Sequence, residues 1–416
     1  MKNYTYEQTY RMLDAIGQAH VLRFYGELSP AEREAFLCQL NETDLSMLDL
    51  ASKRAEVSAA HSGAGRLIEP LPALTVAEIE AKRDEFSAAG LEALRSGKVA
   101  AVLLAGGQGT RLGSDRPKGA YNVGITRDLF IFECLINNML DVVRLSGRFF
   151  PLYIMTSDKN DAETRAFFEE HAYFGYDRSM VSFFVQEMAP SVDFNGKLLL
   201  EAKDRLSLSP GGNGGWFNSL ERSGCLADVK ERGAEWISIF SVDNVLQRVN
   251  DPLFVGATLL SGVECGAKVI RKNSPDERIG VICLEDGRPS IVEYYEATEE
   301  MKNLRGPDGD LVYSFGVTLN YLFRISALER LSSDPLPFHI VEKKVPYIDG
   351  SGRLVKPDSV NGLKFERLAF DVIRRLDSCL PYEVVREREF APVKNPVGVD
   401  SVESARELLK LNGVSL

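Results

Sequence analysis

The feature that most constrains this chain is an apolar run that breaks directly into glycines. Val99 to Ala105 is uninterrupted apolar sequence, and Gly106, Gly107 and Gly109 follow, with Gly113 just beyond. Such a run, bounded by turn residues, predicts a strand buried on both faces. Glycine permits positive φ and lets a ligand approach the main chain without meeting a Cβ. Successive N–H groups in such a turn form a concavity suited to anions. Arg111 and Lys118 add two fixed cations. The stretch therefore predicts a strand feeding a loop that holds a polyphosphate.

Known loop patterns narrow this further. The dinucleotide fingerprint G-x-G-x-x-G fails by one position, because Leu112 stands where the third glycine belongs and the next glycine is Gly113. The Walker pattern fails because Lys118 follows Pro117 and precedes Gly119. A plain strand-to-helix turn is the bland alternative. The string Leu104 to Gly113, L-A-G-G-Q-G-T-R-L-G, followed by Pro117-Lys118-Gly119, resembles the signature of the sugar nucleotidyltransferases. In its full form it is similar to the UDP-N-acetylglucosamine pyrophosphorylase family.

Composition bounds the rest. A chain of 416 residues with 44% hydrophobic content can bury a large core and form more than one domain. Its net charge of −11 argues against a nucleic-acid partner. A phosphate-rich substrate needs only a few local cations. No apolar run approaches the roughly 20 residues that span a bilayer, so no membrane partner is expected. The first ten residues lack the apolar centre of a signal peptide. Six scattered cysteines without a C-x-x-C pair suggest buried free thiols and a cytoplasmic chain. His20, His61, His171 and His339 show no metal-ligand spacing.

Along the chain, residues 4–60 read as helical. Leu13, Ile16, His20 and Phe24 space one apolar face, Ser29-Pro30-Ala31-Glu32 is a capping box opening a helix to about Leu40, and Asp44 to Ala60 supplies a third helix. His61 to Ala73, with two glycines and two prolines, reads as a linker, and Thr75 to Glu78 opens a capped helix ending near Gly97. From Val99 strands alternate with helices: Leu129 to Val143 helical, Phe149 to Thr156 a strand, Asp161 to His171 helical, then strands at Met180 to Gln186 and Trp236 to Val242. That rhythm implies a mostly parallel sheet, with ligands at the carboxyl ends of the strands. A helix closes the chain over Ser401 to Leu411. The expected layout is a helical region over 1–95, a catalytic domain over 96–380 and a short segment over 381–416.

Two further elements fall at strand ends or in loops. Asp243-Asn244 follows a buried strand, where the carboxylate either holds Mg2+ or caps the next turn. Ser209 to Trp216 carries four glycines around Asn213, a backbone surface suited to a flat base or simply a flexible loop.

The resemblance decides between these. It runs from about His20 to Asn395, through the strings Val242-Asp243-Asn244, Gly212 to Gly215, Gly280-Val281, Val292-Glu293-Tyr294, Pro337 to Tyr347, Asn361 to Glu366 and Glu389 to Asn395. It implies an α/β fold of the Rossmann-like, GT-A-like type, a mixed sheet flanked by helices with a helical N-terminal extension. It implies a uridylyltransferase converting UTP and a sugar 1-phosphate into UDP-sugar and pyrophosphate, with Mg2+ as cofactor. N-acetylglucosamine 1-phosphate is the expected sugar, and glucose or galactose 1-phosphate the alternative. In this reading Gly106, Gly107 and Gly109 cradle the nucleotide, and Arg111 holds the departing phosphates. Lys118 and Lys394 meet the α-phosphate and the sugar phosphate, and Asp243 binds the metal. Gln186, Gly212, Asn213 and Gly214 read uracil, while Asn244, Gly280, Glu293 and Asn320 face the sugar. Lys343 and Lys344 read as rim charges.

Two departures stand out. Only about twenty residues follow Lys394 in this sequence, where the resemblance to the eukaryotic members leads one to expect a C-terminal domain. In addition, Val317 replaces an asparagine in the family's N-x-G-N-x-x-N string, here Ser314 to Asn320. From other functional classes, a nicotinamide-dependent oxidoreductase is disfavoured by the displaced Gly113, and a non-catalytic nucleotide-sugar sensor by the presence of Arg111, Lys118, Asp243 and Lys394.

Overall fold

The computed structural model describes residues 4–53, 66–332 and 336–416. These divide into two compact units. The smaller takes the described residues of Met1–Ala64 with Glu187–Gly215 and Leu336–Leu368; the larger takes those of Gly65–Gln186, Trp216–Pro335 and Ala369–Leu416.

In the smaller unit, helix α1 (Tyr6–Ala15) opens on a Thr5–Gln8 capping box and α2 (Pro30–Glu42) on the Ser29–Glu32 box, with Pro30 in its first turn. The single helical face expected through Leu13, Ile16, His20 and Phe24 is broken. Gly17 turns the chain at φ +68, Ala19–Glu27 forms a 3-10 helix, and Ile16 is exposed. Tertiary bonds impose this: the Gln18 amide donates to Gly196 O and accepts from Leu198 N, both at 2.9 Å, and His20 Nε2 meets Leu198 O at 2.9 Å. Of the third helix, Leu48–Ser52 is seen, and 54–60 lie outside the described residues. Leu13, Phe36 and Leu40 pack on Val192, Leu363 and Phe365 from a three-stranded antiparallel sheet of Val192–Asp193, Gly362–Glu366 and His339–Lys343.

The larger unit is built on a ten-stranded mixed sheet: β1 (Ile68–Pro70), β2 (Val99–Leu104), β3 (Leu152–Thr156), β4 (Val181–Val185), β5 (Trp236–Ser241), β6 (Cys265–Arg271), β7 (Val281–Glu285), β8 (Arg288–Val292), β9 (Phe315–Arg324) and β10 (Cys379–Glu383). The main order is β1-β7-β9-β5-β2-β3-β4, with β6 on β9, β10 on β6 and β8 on β7. Every residue of β2 is buried, as a strand covered on both faces must be. Its longer helices are α3 (Arg83–Arg95), α4 (Ile131–Ser146), α5 (Asp161–Glu170), α6 (Pro252–Leu260) and α7 (Val402–Leu411). Helices α3 and α6 touch backbone to backbone, because a Cβ on Gly90 would overlap Pro252 O and one on Gly256 would overlap Phe86 O.

The expectation of a mostly parallel sheet holds for β5-β2-β3-β4 and for the β6–β10 pair. Strand β9 runs antiparallel to β5, β6 and β7, and β1 and β8 run antiparallel to β7. Helical crossovers link β2, β3 and β4, whereas β7 and β8 form a hairpin about Asp286-Gly287. The stretch expected as a linker contains β1, paired with Cys283–Glu285; residues 61–65 lie outside the described residues. All six cysteines are unpaired, and no helix among the described residues is long and apolar enough to cross a membrane.

Candidate active site

The loop after β2 is shaped by close approach more than by special dihedrals. Of its four glycines only Gly113 takes positive φ, at +74. A Cβ on Gly106 would overlap the Gln186 amide, which itself is buried directly after β4. Gly109 is held between Ser114 and Arg116: its N–H donates to Arg116 O at 3.0 Å and its carbonyl accepts from Ser114 N at 3.1 Å. On Gly107 a Cβ would meet nothing within 4 Å, so this glycine faces open space. Arg111 is exposed and makes no hydrogen bond or ion pair with the described residues.

Two residues that the sequence pattern did not single out fix this loop from behind. Ser157 Oγ donates to Gly106 O at 2.9 Å, and the buried Asn160 amide donates to Ala105 O at 2.9 Å and Gly107 O at 3.2 Å. Three loop carbonyls are thereby occupied on the inner side. The available signal was the polar string Ser157 to Asp161 directly after the neighbouring strand.

Parallel pairing aligns the ends of β2 and β5, Leu104 opposite Ser241. This brings the loop to Asp243, and Lys118 Nζ lies 2.5 Å from Asp243 Oδ1. The Asp243 main chain is tied to the segment carrying Lys394, since its carbonyl accepts from Val393 N at 2.8 Å. Lys394 in turn has Nζ 2.9 Å from Asp400 Oδ2.

A cavity of about 210 Å3 opens beside these residues. Its origin is a fork in the sheet. On one edge β9 pairs with β5 up to Phe240–Asn320 and with β7 at Val281–Gly316, leaving 317–319 between the two. A register shift against β6 and Leu319 at φ +54 mark the irregularity. Val317, Thr318 and Leu319 line the cavity with Ser241, Asp243, Arg278 and Lys394.

Of the residues expected at the sugar, Glu293 and Gly280 are adjacent: a Cβ on Gly280 would be 2.9 Å from Glu293 Oε1, so glycine lets the carboxylate lie over the chain. The Gly280 carbonyl accepts from Val317 N at 2.9 Å, which puts the pair next to the cavity wall. The two asparagines expected at the sugar have buried side chains. Asn244 lines the cavity, and its buried amide is bonded to backbone, donating to Glu389 O at 2.7 Å and accepting from Ala391 N at 2.8 Å, so it clamps the Lys394 segment. Asn320 is also buried, its amide pointing to Arg248 O at 3.4 Å, and it is not among the residues lining the cavity.

In the smaller unit, the glycine-rich segment packs on the main chain of Arg367. Gly214 N donates to Arg367 O and Arg367 N to Gly211 O, each at 2.7 Å, and a Cβ on Gly214 would be 2.6 Å from Arg367 C. Gly212 takes φ +84. Asn213 lies between these two glycines and is half-buried. The segment is thus a held surface and not a loose loop. Lys343 and Lys344 are exposed.

A family model described as UTP–glucose-1-phosphate uridylyltransferase matches residues 62–410. The human UDP-N-acetylhexosamine pyrophosphorylase-like protein 1 is 39% identical over 95% of this chain and 82% of its own length. The UDP-N-acetylglucosamine pyrophosphorylase of Saccharomyces cerevisiae is 33% identical over 94% of this chain and 86% of its own. Among solved structures, the uridine diphosphate N-acetylglucosamine pyrophosphorylase of Trypanosoma brucei, in complex with inhibitor, superposes with a TM-score of 0.81 at 28% identity, covering 97% of this chain and 84% of that one.

Proposed function

The chain belongs to the UTP–glucose-1-phosphate uridylyltransferase family, and from that premise we propose that it makes UDP-N-acetylglucosamine and pyrophosphate from UTP and N-acetylglucosamine 1-phosphate. The sugar follows from relatives at 33–39% identity that carry N-acetylhexosamine or N-acetylglucosamine in their names. The observation that carries the chemistry is the Lys118–Asp243 contact at 2.5 Å, which joins the phosphate loop after β2 to a carboxylate after β5.

A sugar phosphate oxygen, already ionised, attacks the α-phosphorus of UTP. The bond to the bridging oxygen breaks, and its electron pair leaves on pyrophosphate. No protein base is required, so catalysis is positioning and neutralisation of charge. The exposed Arg111 guanidinium holds the leaving phosphates as a planar, always-charged fork. Lys118 neutralises the α-phosphate, and Lys394 the incoming phosphate. Gln186, held against the loop by Gly106, faces the base; for Gly212, Asn213 and Gly214 that role rests on the resemblance alone.

The donor set suits Mg2+, which is commonly held by one or two carboxylates plus substrate phosphates and water. Asp243 offers one partly exposed carboxylate, and no group of three acidic, cysteine or histidine ligands exists among the described residues. When bound, the ion would neutralise phosphate charge. Six unpaired thiols also suit a reducing, cytoplasmic setting.

The test is incubation with UTP, Mg2+ and the 1-phosphates of N-acetylglucosamine, glucose and galactose, with pyrophosphate as readout. Release with N-acetylglucosamine 1-phosphate above the other two is expected. Nucleotide binding without release from any sugar would overturn the reading in favour of a sensor.

A further inference from the structure

We propose that Arg278 captures the phosphate group of the sugar 1-phosphate, an inference that rests on the uridylyltransferase reading. Arg278 sits in the connection from β6 to β7, at the centre of a three-residue turn closed by Ile279 N–H donating to Glu277 O at 2.9 Å. Both neighbours are pinned. The Glu277 carboxylate accepts from Asn273 N at 2.7 Å through one oxygen and from Arg386 Nη2 at 2.7 Å through the other. Ile279 lies across Gly316, where a Cβ would be 2.7 Å from the isoleucine side chain. The backbone that carries Arg278 is therefore fixed before any ligand arrives.

Its side chain is not. Arg278 is exposed, lines the cavity with Asp243, Lys394 and Asp400, and makes no hydrogen bond or ion pair with the described residues. Lys394, the other cation in the lining, is already held by Asp400 at 2.9 Å, and Lys118 at the Asp243 end is held at 2.5 Å. A phosphate dianion entering this cavity meets three carboxylates, Asp243, Asp400 and Glu277, the last already paired with Arg386, and their charge opposes it. An unpaired guanidinium offsets that field, and its forked donors match two phosphate oxygens at once. Capture at Arg278 needs no existing ion pair to break, whereas capture at Lys394 must first displace Asp400. Arg278 thus binds the phosphate in the ground state, before Lys394 is released to it.

The experiment is steady-state kinetics on the full chain and on Arg278→Ala and Arg278→Lys, varying each substrate at saturating levels of the other. Losing a charge-assisted contact predicts a rise of about tenfold or more in KM for N-acetylglucosamine 1-phosphate. KM for UTP should stay within about twofold, and Arg278→Lys should recover part of the loss. Thermal midpoints should coincide, since Arg278 contacts nothing that a truncation would unpair. An unchanged sugar-phosphate KM in Arg278→Ala overturns the proposal, as does an equal rise in KM for UTP, which would move Arg278 to the nucleotide. A loss seen only with glucuronic acid 1-phosphate also overturns it, because Arg278 would then read a sugar carboxylate. If the parent itself releases no pyrophosphate with any sugar 1-phosphate, the uridylyltransferase reading fails and takes this proposal with it; with an active parent, only Arg278 is at stake.

Discussion

Lys268→Met would unpair a buried ion pair that underlies the segment carrying Lys394. Lys268 is 1% exposed; its Nζ lies 2.5 Å from Glu389 Oε2, 2.9 Å from Arg248 O and 3.7 Å from Asp251 Oδ2. Methionine keeps most of the volume but leaves Glu389 without its counter-ion. Removing one partner of a buried pair costs about 3–5 kcal/mol when the remaining charge stays ionised. Burial already pushes the Glu389 carboxyl up, while Lys268 pulls it down, so the variant should raise it further. A carboxyl whose folded pKa exceeds its unfolded value contributes stability that is present below the unfolded pKa and lost as pH rises through the folded one. The deficit of the variant against the parent should therefore widen from pH 5 to pH 8, by up to about 1.4 kcal/mol for each pH unit within the added shift. Urea unfolding at four pH values, followed by the fluorescence of Trp216 and Trp236, reads this, because both tryptophans are buried in the larger unit. Lys268→Met/Glu389→Leu should recover most of the loss, since an apolar replacement removes the stranded charge. Activity should follow: the Glu389 carbonyl accepts from Asn244, and Asn244 clamps Ala391, three residues before Lys394. A deficit below about 1 kcal/mol, or one equal at every pH, would refute the reasoning.

Arg111→Ala should lower turnover by roughly 10²–10³ with an unchanged thermal midpoint, as expected for losing one charge-stabilising donor; near-normal turnover would remove Arg111 from the mechanism. Asp243→Asn should lower activity and raise the Mg2+ concentration needed for half-maximal rate. An unchanged metal dependence with lost stability would make Asp243 a structural partner of Lys118. Val317→Asn should sharpen preference among N-acetylglucosamine, glucose and galactose 1-phosphates without moving the affinity for UTP. The parent, with an apolar wall there, should accept all three within about two orders of magnitude in kcat/KM. Exclusion of two sugars by more than about 10⁴ in the parent would assign selection to other residues.

What the amino-acid sequence determined by itself was local. The run Val99 to Leu104 is apolar throughout and becomes a strand buried throughout, as a short apolar run ahead of a glycine turn does when both faces of the sheet are covered. The Ser29–Glu32 and Thr75–Glu78 boxes start helices where they stand, because the donors they satisfy are three residues away. The loop from Gly106 to Lys118 was legible for the same reason: its chemistry is written in contiguous residues. Tertiary structure decided the rest. Gln18 and His20 bond to residues some 180 positions along, which turns an expected α-helix into a 3-10 segment. Strand β9 meets β5 and β7 on one edge and forks the sheet, a consequence of pairing partners about 80 and 35 residues away, and the fork makes the cavity. The fold also sets where the amides of Asn244 and Asn320 lie: the first lines the cavity while bonded to the backbone of Glu389, and the second is buried with its amide toward Arg248 O. Arg278 carried no pattern at all, because its role depends on which distant charges are already paired. Local hydrogen bonding and side-chain period can be read along a chain, whereas the neutralisation of one charge by another depends on distance in space.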